Sequence, residues 1–168
     1  ADTTGAITFT AVRDNRTNIT AINASGDYDL STANVTVSDQ VTLTQADTLD
    51  AMTDGTLTVE SFTGTLADFN EAHGDGGKTM TGAAVVITDQ VTYSQADGVD
   101  TITSGAVTIN SFTDTYDNFI IAHDTDAGKA MGGAAVALTG TVTLAQLDTV
   151  NADTTGAITF TAVRDNRT

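Results

Sequence analysis

Residues 152–168 read ADTTGAITFTAVRDNRT, and residues 1–17 read the same without one change. The two copies lie 151 residues apart (152 minus 1). Unrelated loops do not stay identical over such a length, so the duplication points to slightly more than one period of a tandem array. In such arrays each unit finds the partner for its apolar face in the next unit. Within the duplicated stretch, Ile7-Thr8-Phe9-Thr10 and Ile158-Thr159-Phe160-Thr161 alternate apolar and polar residues. That is the period of a strand with one buried face.

The 151-residue period is itself threefold. Asp39-Gln40-Val41-Thr42 returns 50 residues later as Asp89-Gln90-Val91-Thr92. Phe62, Phe69 and His73 return as Phe112, Phe119 and His123 at the same spacing. Lys78 then becomes Lys129 and Gln95 becomes Gln146, a step of 51. The chain therefore divides into four segments. Residues 1–34 end one unit and carry a divergent polar loop, 35–84 and 85–135 are whole units, and 136–168 begin the next divergent unit.

Each unit offers two strand classes, Val35–Ser38 with Val85–Thr88 and Val136–Thr139, and Leu57–Ser61 with Val107–Ser111, Ile158–Ala162 and Ile7–Ala11. Turn residues precede the second class at Asp54-Gly55, Ser104-Gly105 and Thr155-Gly156. Thr42 with Gln45, Thr92 with Gln95 and Thr143 with Gln146 match the capping box, in which hydroxyl and amide satisfy the free N–H groups at a helix start. Leu43, Ala46 and Leu49, with their counterparts, then fall on one helix face. A second helix class covers Thr65–His73 and Thr115–His123, whereas the corresponding region of the third unit, residues 13–34, is polar and turn-rich and is expected to be a protruding loop or an insertion serving an interaction. The fold class expected is a repeat solenoid, mainly β with short helices, built from parallel strand–helix coils of about 25 residues and open at its ends. Leu43, Leu57, Val59, Phe62 and Phe69 and their equivalents are the expected core.

Composition narrows the function. The net charge is -16 over 168 residues, with Lys78, Lys129 and four Arg as the only cations. No basic surface for nucleic acid is available. Cysteine is absent, which removes disulfides, thiol catalysis and Cys-ligated zinc together. No stretch is apolar over the ~18 residues that a membrane span needs, and no signal peptide is visible. Thr occurs 35 times, a bias toward strands and turns.

The run Val142–Thr159, VTLAQLDTVNADTTGAIT, is echoed at 41–58 and 91–108. It resembles the repeats of giant Thr-, Asp- and Ala-rich extracellular proteins of bacteria, either cell-surface or fibre-forming, and the resemblance covers essentially the whole chain. It implies an extracellular, adhesive or matrix-forming role. The glycine-rich nonapeptide of calcium-binding secreted toxins is absent, so calcium binding is not implied with it.

Candidate sites are few. Asn15, Asn18, Asn23 and Asn34 begin glycosylation sequons, as does Asn166 in the duplicate of Asn15. Ser and Thr make up 42 of 168 residues, so eight non-duplicated Asn should give two sequons by chance. Four occur, and all lie in the divergent unit. Asp124-Thr-Asp126-Ala-Gly128 begins like a calcium loop, but no glutamate follows where that loop requires one. Asp124 and Asp126 are thus candidates for a weak surface cation site only. His73 and His123 occupy one repeat position near a helix end, which suits capping of the last carbonyls better than a metal pair. The outward Thr8, Thr10, Thr36, Thr58, Thr108, Thr159 and Thr161 suggest a hydroxyl array of the ice-binding kind, interrupted by Glu60 and Asn110.

No catalytic or cofactor-binding constellation emerges, and no phosphate-cradling motif follows a strand. The expectation is a non-enzymatic structural protein, a tandem building block of an extracellular fibre or giant surface protein, with an adhesin or ice-binding solenoid as the alternative. Its main partner would be itself, head to tail, with glycans or a cell surface as further partners. No cofactor is expected beyond glycans or weakly bound calcium. An extracellular or cell-surface location follows from the same reading.

Overall fold

The computed structural model describes residues 5–125 and 129–164. It is mainly parallel β with six short α-helices among the described residues. The chain divides into two compact units between Ala84 and Val85.

The first unit runs β1 (Ile7–Thr8), β2 (Ala11–Asp14), α1 (Arg16–Ser25), β3 (Tyr28–Asp29), β4 (Asn34–Val41), α2 (Leu43–Asp50), β5 (Leu57–Gly64), α3 (Leu66–Gly74) and β6 (Lys78–Thr79). β2, β4 and β5 pair in parallel in that order, β6 joins the start of β5, and β1 pairs with β3. The second unit runs β7 (Ala84–Val91), α4 (Tyr93–Ile102), β8 (Val107–Asp114), α5 (Tyr116–Ile120), a π-helical turn (Ile121–Thr125), β9 (Lys129–Ala130), β10 (Ala135–Thr143), α6 (Leu144–Asp153) and β11 (Ile158–Arg164). Here β7, β8, β10 and β11 pair in parallel in that order, with β9 on the start of β8.

Strand alternation sets the core. Val35, Val37, Leu57, Val59 and Phe62 are at most 1% exposed, as are Val85, Ile87, Val107, Ile109 and Phe112. The helices lie over these faces. Phe62 meets Phe69 of α3 edge to face at 5.9 Å, and Phe112 meets Phe119 of α5 at the same distance. The Thr–Gln capping boxes form at the starts of α2, α4 and α6.

Two expectations are corrected. Leu43 is only half-buried and its counterpart Leu144 is 54% exposed, and each is the first residue of its helix. The core of α2 is Ala46 and Leu49 instead. Nor is 13–34 a protruding loop: it holds α1 and β3. Asn15 caps α1, accepting from the Asn18 N–H, and Gly26 closes it in the left-handed conformation at φ 73°. Ile19 is fully buried. A ten-residue helix thus stands where the other units have α3 and α5.

The step from 50 to 51 residues falls between His123 and Lys129. Beside it, α5 continues into a π turn over Ile121–Thr125, where the first unit has the regular helix α3.

Candidate functional site

The duplicated strand is the natural starting point, because the molecule holds it twice. β8 shows what a strand of this class does when complete. One edge pairs with β7, Val107 opposite Val85 and Ile109 opposite Ile87. The other edge takes β9 over Val107–Thr108 and then β10 over Ser111–Asp114.

Among the described residues, Ile158–Arg164 has the first kind of partner only. Ile158 lies opposite Val136 and Phe160 opposite Leu138, the register of β8 on β7. Ile7–Asp14, identical through Arg13, has the second kind only among the described residues. Ile7 lies opposite Tyr28, then Ala11 opposite Asn34 and Asp14 opposite Val37, the register of β8 on β9 and β10. Between them, the two copies carry the two sets of register partners that β8 carries on its two edges. The same comparison explains why β1 and β2 are separate: the ladder changes partner at Phe9–Thr10, and no strand on the other edge bridges the gap among the described residues.

Exposure follows pairing. Ile7 and Phe160 are each 47% exposed and Val163 37%, whereas Val107, Ile109 and Phe112 at the matching positions are buried. Phe9 is partly covered by Tyr28, ring centroids 5.6 Å apart. Among the described residues, each copy has exposed apolar side chains beside a backbone edge for which no ladder is seen.

Two buried lysines were not apparent from the sequence. The Lys78 side chain is 2% exposed and reaches Asp47 at 3.1 Å and Asp50 at 3.3 Å, with Asp75 closer still. Burial alone pulls its pKa down, but the hydrogen bonds to Asp75, Asp47 and Asp50 outweigh this and hold it above its ordinary value. The Lys78 bond in turn holds Asp75 below the usual carboxylate range. The wholly buried Lys129 side chain lies 3.6 Å from Asp97 and Asp100 and 5.8 Å from the centroid of the Tyr93 ring. These clasps tie the end of each second helix class to the first. A signal for them was present. Where Tyr28 replaces the Lys, Asn151 replaces the second Asp, so the charges change together.

The sequon residues lie along one segment. Asn15 is half-buried and committed to capping, while Asn18, Asn23 and Asn34 are exposed. Asn18 Nδ2 donates to Asp14, and Asn34 Oδ1 accepts from the Thr56 N–H. Asn166 lies outside the described residues. The threonine row is short: Thr36, Thr58 and Thr79 are register neighbours, but Val86, Thr108 and Ala130 form the matching row in the second unit.

His73 and His123 stack on Phe69 and Phe119, at 6.3 and 5.7 Å. Asp126 lies outside the described residues. Asp124 does not stand alone, since its Oδ1 is 2.6 Å from His123 Nδ1, and Asp153 Oδ2 is 3.9 Å from the same nitrogen. The sequence did not connect Asp153 with these two, because it lies on a different helix. No helix among the described residues is long and apolar enough to cross a membrane. No protein-family model matches the chain, and neither a curated protein nor a solved structure does.

Proposed function

We propose that this chain is a link of an open-ended parallel β solenoid, a non-enzymatic structural protein that continues head to tail with a 151-residue period. The observation that carries this reading is the complementary half-pairing of the two ITFTAVR copies. One uses the edge that faces the preceding coil and the other the edge that faces the following coil, in the registers of the complete strand β8. A heterologous contact of this kind does not close on itself and gives a filament.

The energetics support continuation. Covering Ile, Phe and Val at a junction is worth about 1.5–3 kcal/mol each, and the backbone edge gains its ladder as well. The net charge of -16 keeps neighbouring filaments apart in solution. An extracellular fibre or giant surface protein, open to glycans at Asn18, Asn23 and Asn34, is the setting that fits a cysteine-free, acidic, threonine-rich array. An extended ice-binding face is less well supported, since the threonine row is broken in the second unit.

The test is length. Six coils per period at about 4.8 Å each predict that every added period lengthens the molecule by roughly 29 Å. Chains of two, three and four tandem periods, measured by small-angle scattering and electron microscopy, should give rods growing by that increment. Flexible beads, or increments twice as large, would refute a continuous solenoid.

A further inference from the structure

The π turn brings together three potential metal ligands that the sequence separates. His123 sits within the turn, its ring held against Phe119 at 13° between planes. Asp124 follows it, and Asp153 closes α6. One ligand atom from each, His Nδ1 and two carboxylate oxygens, lies within 4.8 Å of the others. We propose that His123, Asp124 and Asp153 form a binding site for a divalent transition metal of the zinc type.

Three observations carry this. First, the geometry is close to what such an ion imposes. Bonds of about 2.0–2.1 Å in a tetrahedral shell put ligand atoms about 3.3 Å apart. The separations from His123 Nδ1 of 2.6 Å to Asp124 and 3.9 Å to Asp153 bracket that value, so small side-chain rotations suffice. Second, Asp153 Oδ2 is buried and has no hydrogen-bond partner among the described residues. The His123 ring nitrogen is 3.9 Å from it, too far for a hydrogen bond, and a cation between the three groups would satisfy it directly.

Third, the ligands occur together at this place alone among equivalent positions. His73 is followed by Gly74 where His123 is followed by Asp124, and Ile102 stands at the helix position of Asp153. The donor set of one imidazole nitrogen and two carboxylates fits zinc and its neighbours in the first transition row. Calcium takes six to eight oxygens and gains nothing from the imidazole. Three protein ligands at a partly exposed surface leave a position for water.

The test uses the 168-residue chain, freed of metal with a chelator and titrated with Co²⁺ by visible absorption and with Zn²⁺ by calorimetry. One equivalent should bind with the d–d spectrum of a four- or five-coordinate N/O site. His123→Gln and Asp153→Asn should each weaken binding at least tenfold, and His73→Gln should leave it unchanged. Asp124→Gly installs the residue of the first unit and should weaken binding too, which covers the case in which Asp153→Asn fails to fold. Proton NMR should show the His123 ring signals moving on Zn²⁺ addition while those of His73 stay. Weak binding of several equivalents that ignores His123→Gln, or a preference for Ca²⁺ over Zn²⁺, would overturn the proposal.

Discussion

Gly156 lies so close to the carbonyl of Ala134 that a Cβ on it would come within 2.0 Å of the oxygen. Thr154 is the reason for the approach: its hydroxyl donates to that carbonyl at 2.6 Å and accepts from the Gly156 N–H at 3.0 Å. Thr53, Gly55 and Ala33 repeat the arrangement in the first unit, where the added Cβ would meet the carbonyl at 2.2 Å. Each trio pins the start of one strand to the start of its neighbour. Gly156→Ala and Gly55→Ala should therefore cost about 2–3 kcal/mol by urea denaturation, since the obstacle is backbone and cannot rotate away. Gly98→Ala is the control. Nothing surrounds that position in α4, and it should gain about 0.5–1 kcal/mol from helix propensity.

Lys78→Met removes the cation on which Asp47, Asp50 and Asp75 converge. The carboxylates are partly solvated, so the loss should fall near the low end of the range for broken buried pairs, about 3 kcal/mol. If charge rather than packing is responsible, adding Asp50→Asn to Lys78→Met should return about 1 kcal/mol. Equal stability of the single and double variants would show that the lysine acts only by filling space. Asn151 already stands at the Asp50 position in the unit that lacks the lysine, which indicates that the combination is tolerated.

These clasps and trios mark what could be read without coordinates. Strands, capping boxes and the burial of Phe62 and Phe69 with their equivalents were legible because each rests on local periodicity seen more than once. Helix α1 was not, because Asn, Thr and Ser dominate it and its apolar face is reduced to Ile19 and Ile22. Those two occupy the positions of Phe69 with Ala72, so alignment at the 50-residue step reveals what composition conceals. Leu43 misled for the opposite reason: it is apolar and in phase, yet at the first position of its helix it is only half-buried. The grouping of Asp153 with His123 and Asp124 depends on how α6 packs, and no periodicity within one element reports that.

The pH dependence of stability follows first from the Lys78 clasp. Asp75 is held below its ordinary value of 3.8, so the unfolded chain takes up its proton first as pH falls. Its contribution is present above about 4 and is lost as pH drops through the lower folded value. Lys78 is held above 10.5, so its contribution is complete below that pH and disappears only as pH rises through the higher folded value. Asp114 adds a second acid-sensitive point. Burial raises its pKa, but hydrogen bonds from Asn118, Thr115 and Tyr93 leave it lowered. Urea midpoints should be flat from about pH 5 to 10 and fall below pH 4, and Lys78→Met should flatten the acid limb. A midpoint rising steadily toward pH 3 would mean that relief of acidic repulsion outweighs the clasp.

Removing residues 152–168 should turn the chain into a self-associating unit. In the full chain the edge of β10 is covered by β11. Without it, Val136, Leu138 and Val142 lose the neighbour they are built to receive, and the only other copy of that neighbour is Ile7–Arg13 of a second molecule. There the incoming strand can keep its own pairing with β3 and β4, because it offers β10 the opposite edge. Three buried side chains supply about 4.5–9 kcal/mol, against an association cost of about 4–15 kcal/mol, so the ladder decides the balance. Charge repulsion adds to the cost until salt screens it. Residues 1–151 should thus sediment as growing linear species at micromolar concentration and 0.15–0.5 M salt. The 168-residue chain should stay discrete under the same conditions, and a peptide of residues 152–168 should cap the growing ends of the shorter chain and stop its elongation. If residues 1–151 remain monomeric and ignore the peptide, the two copies of ITFTAVR are not halves of one junction.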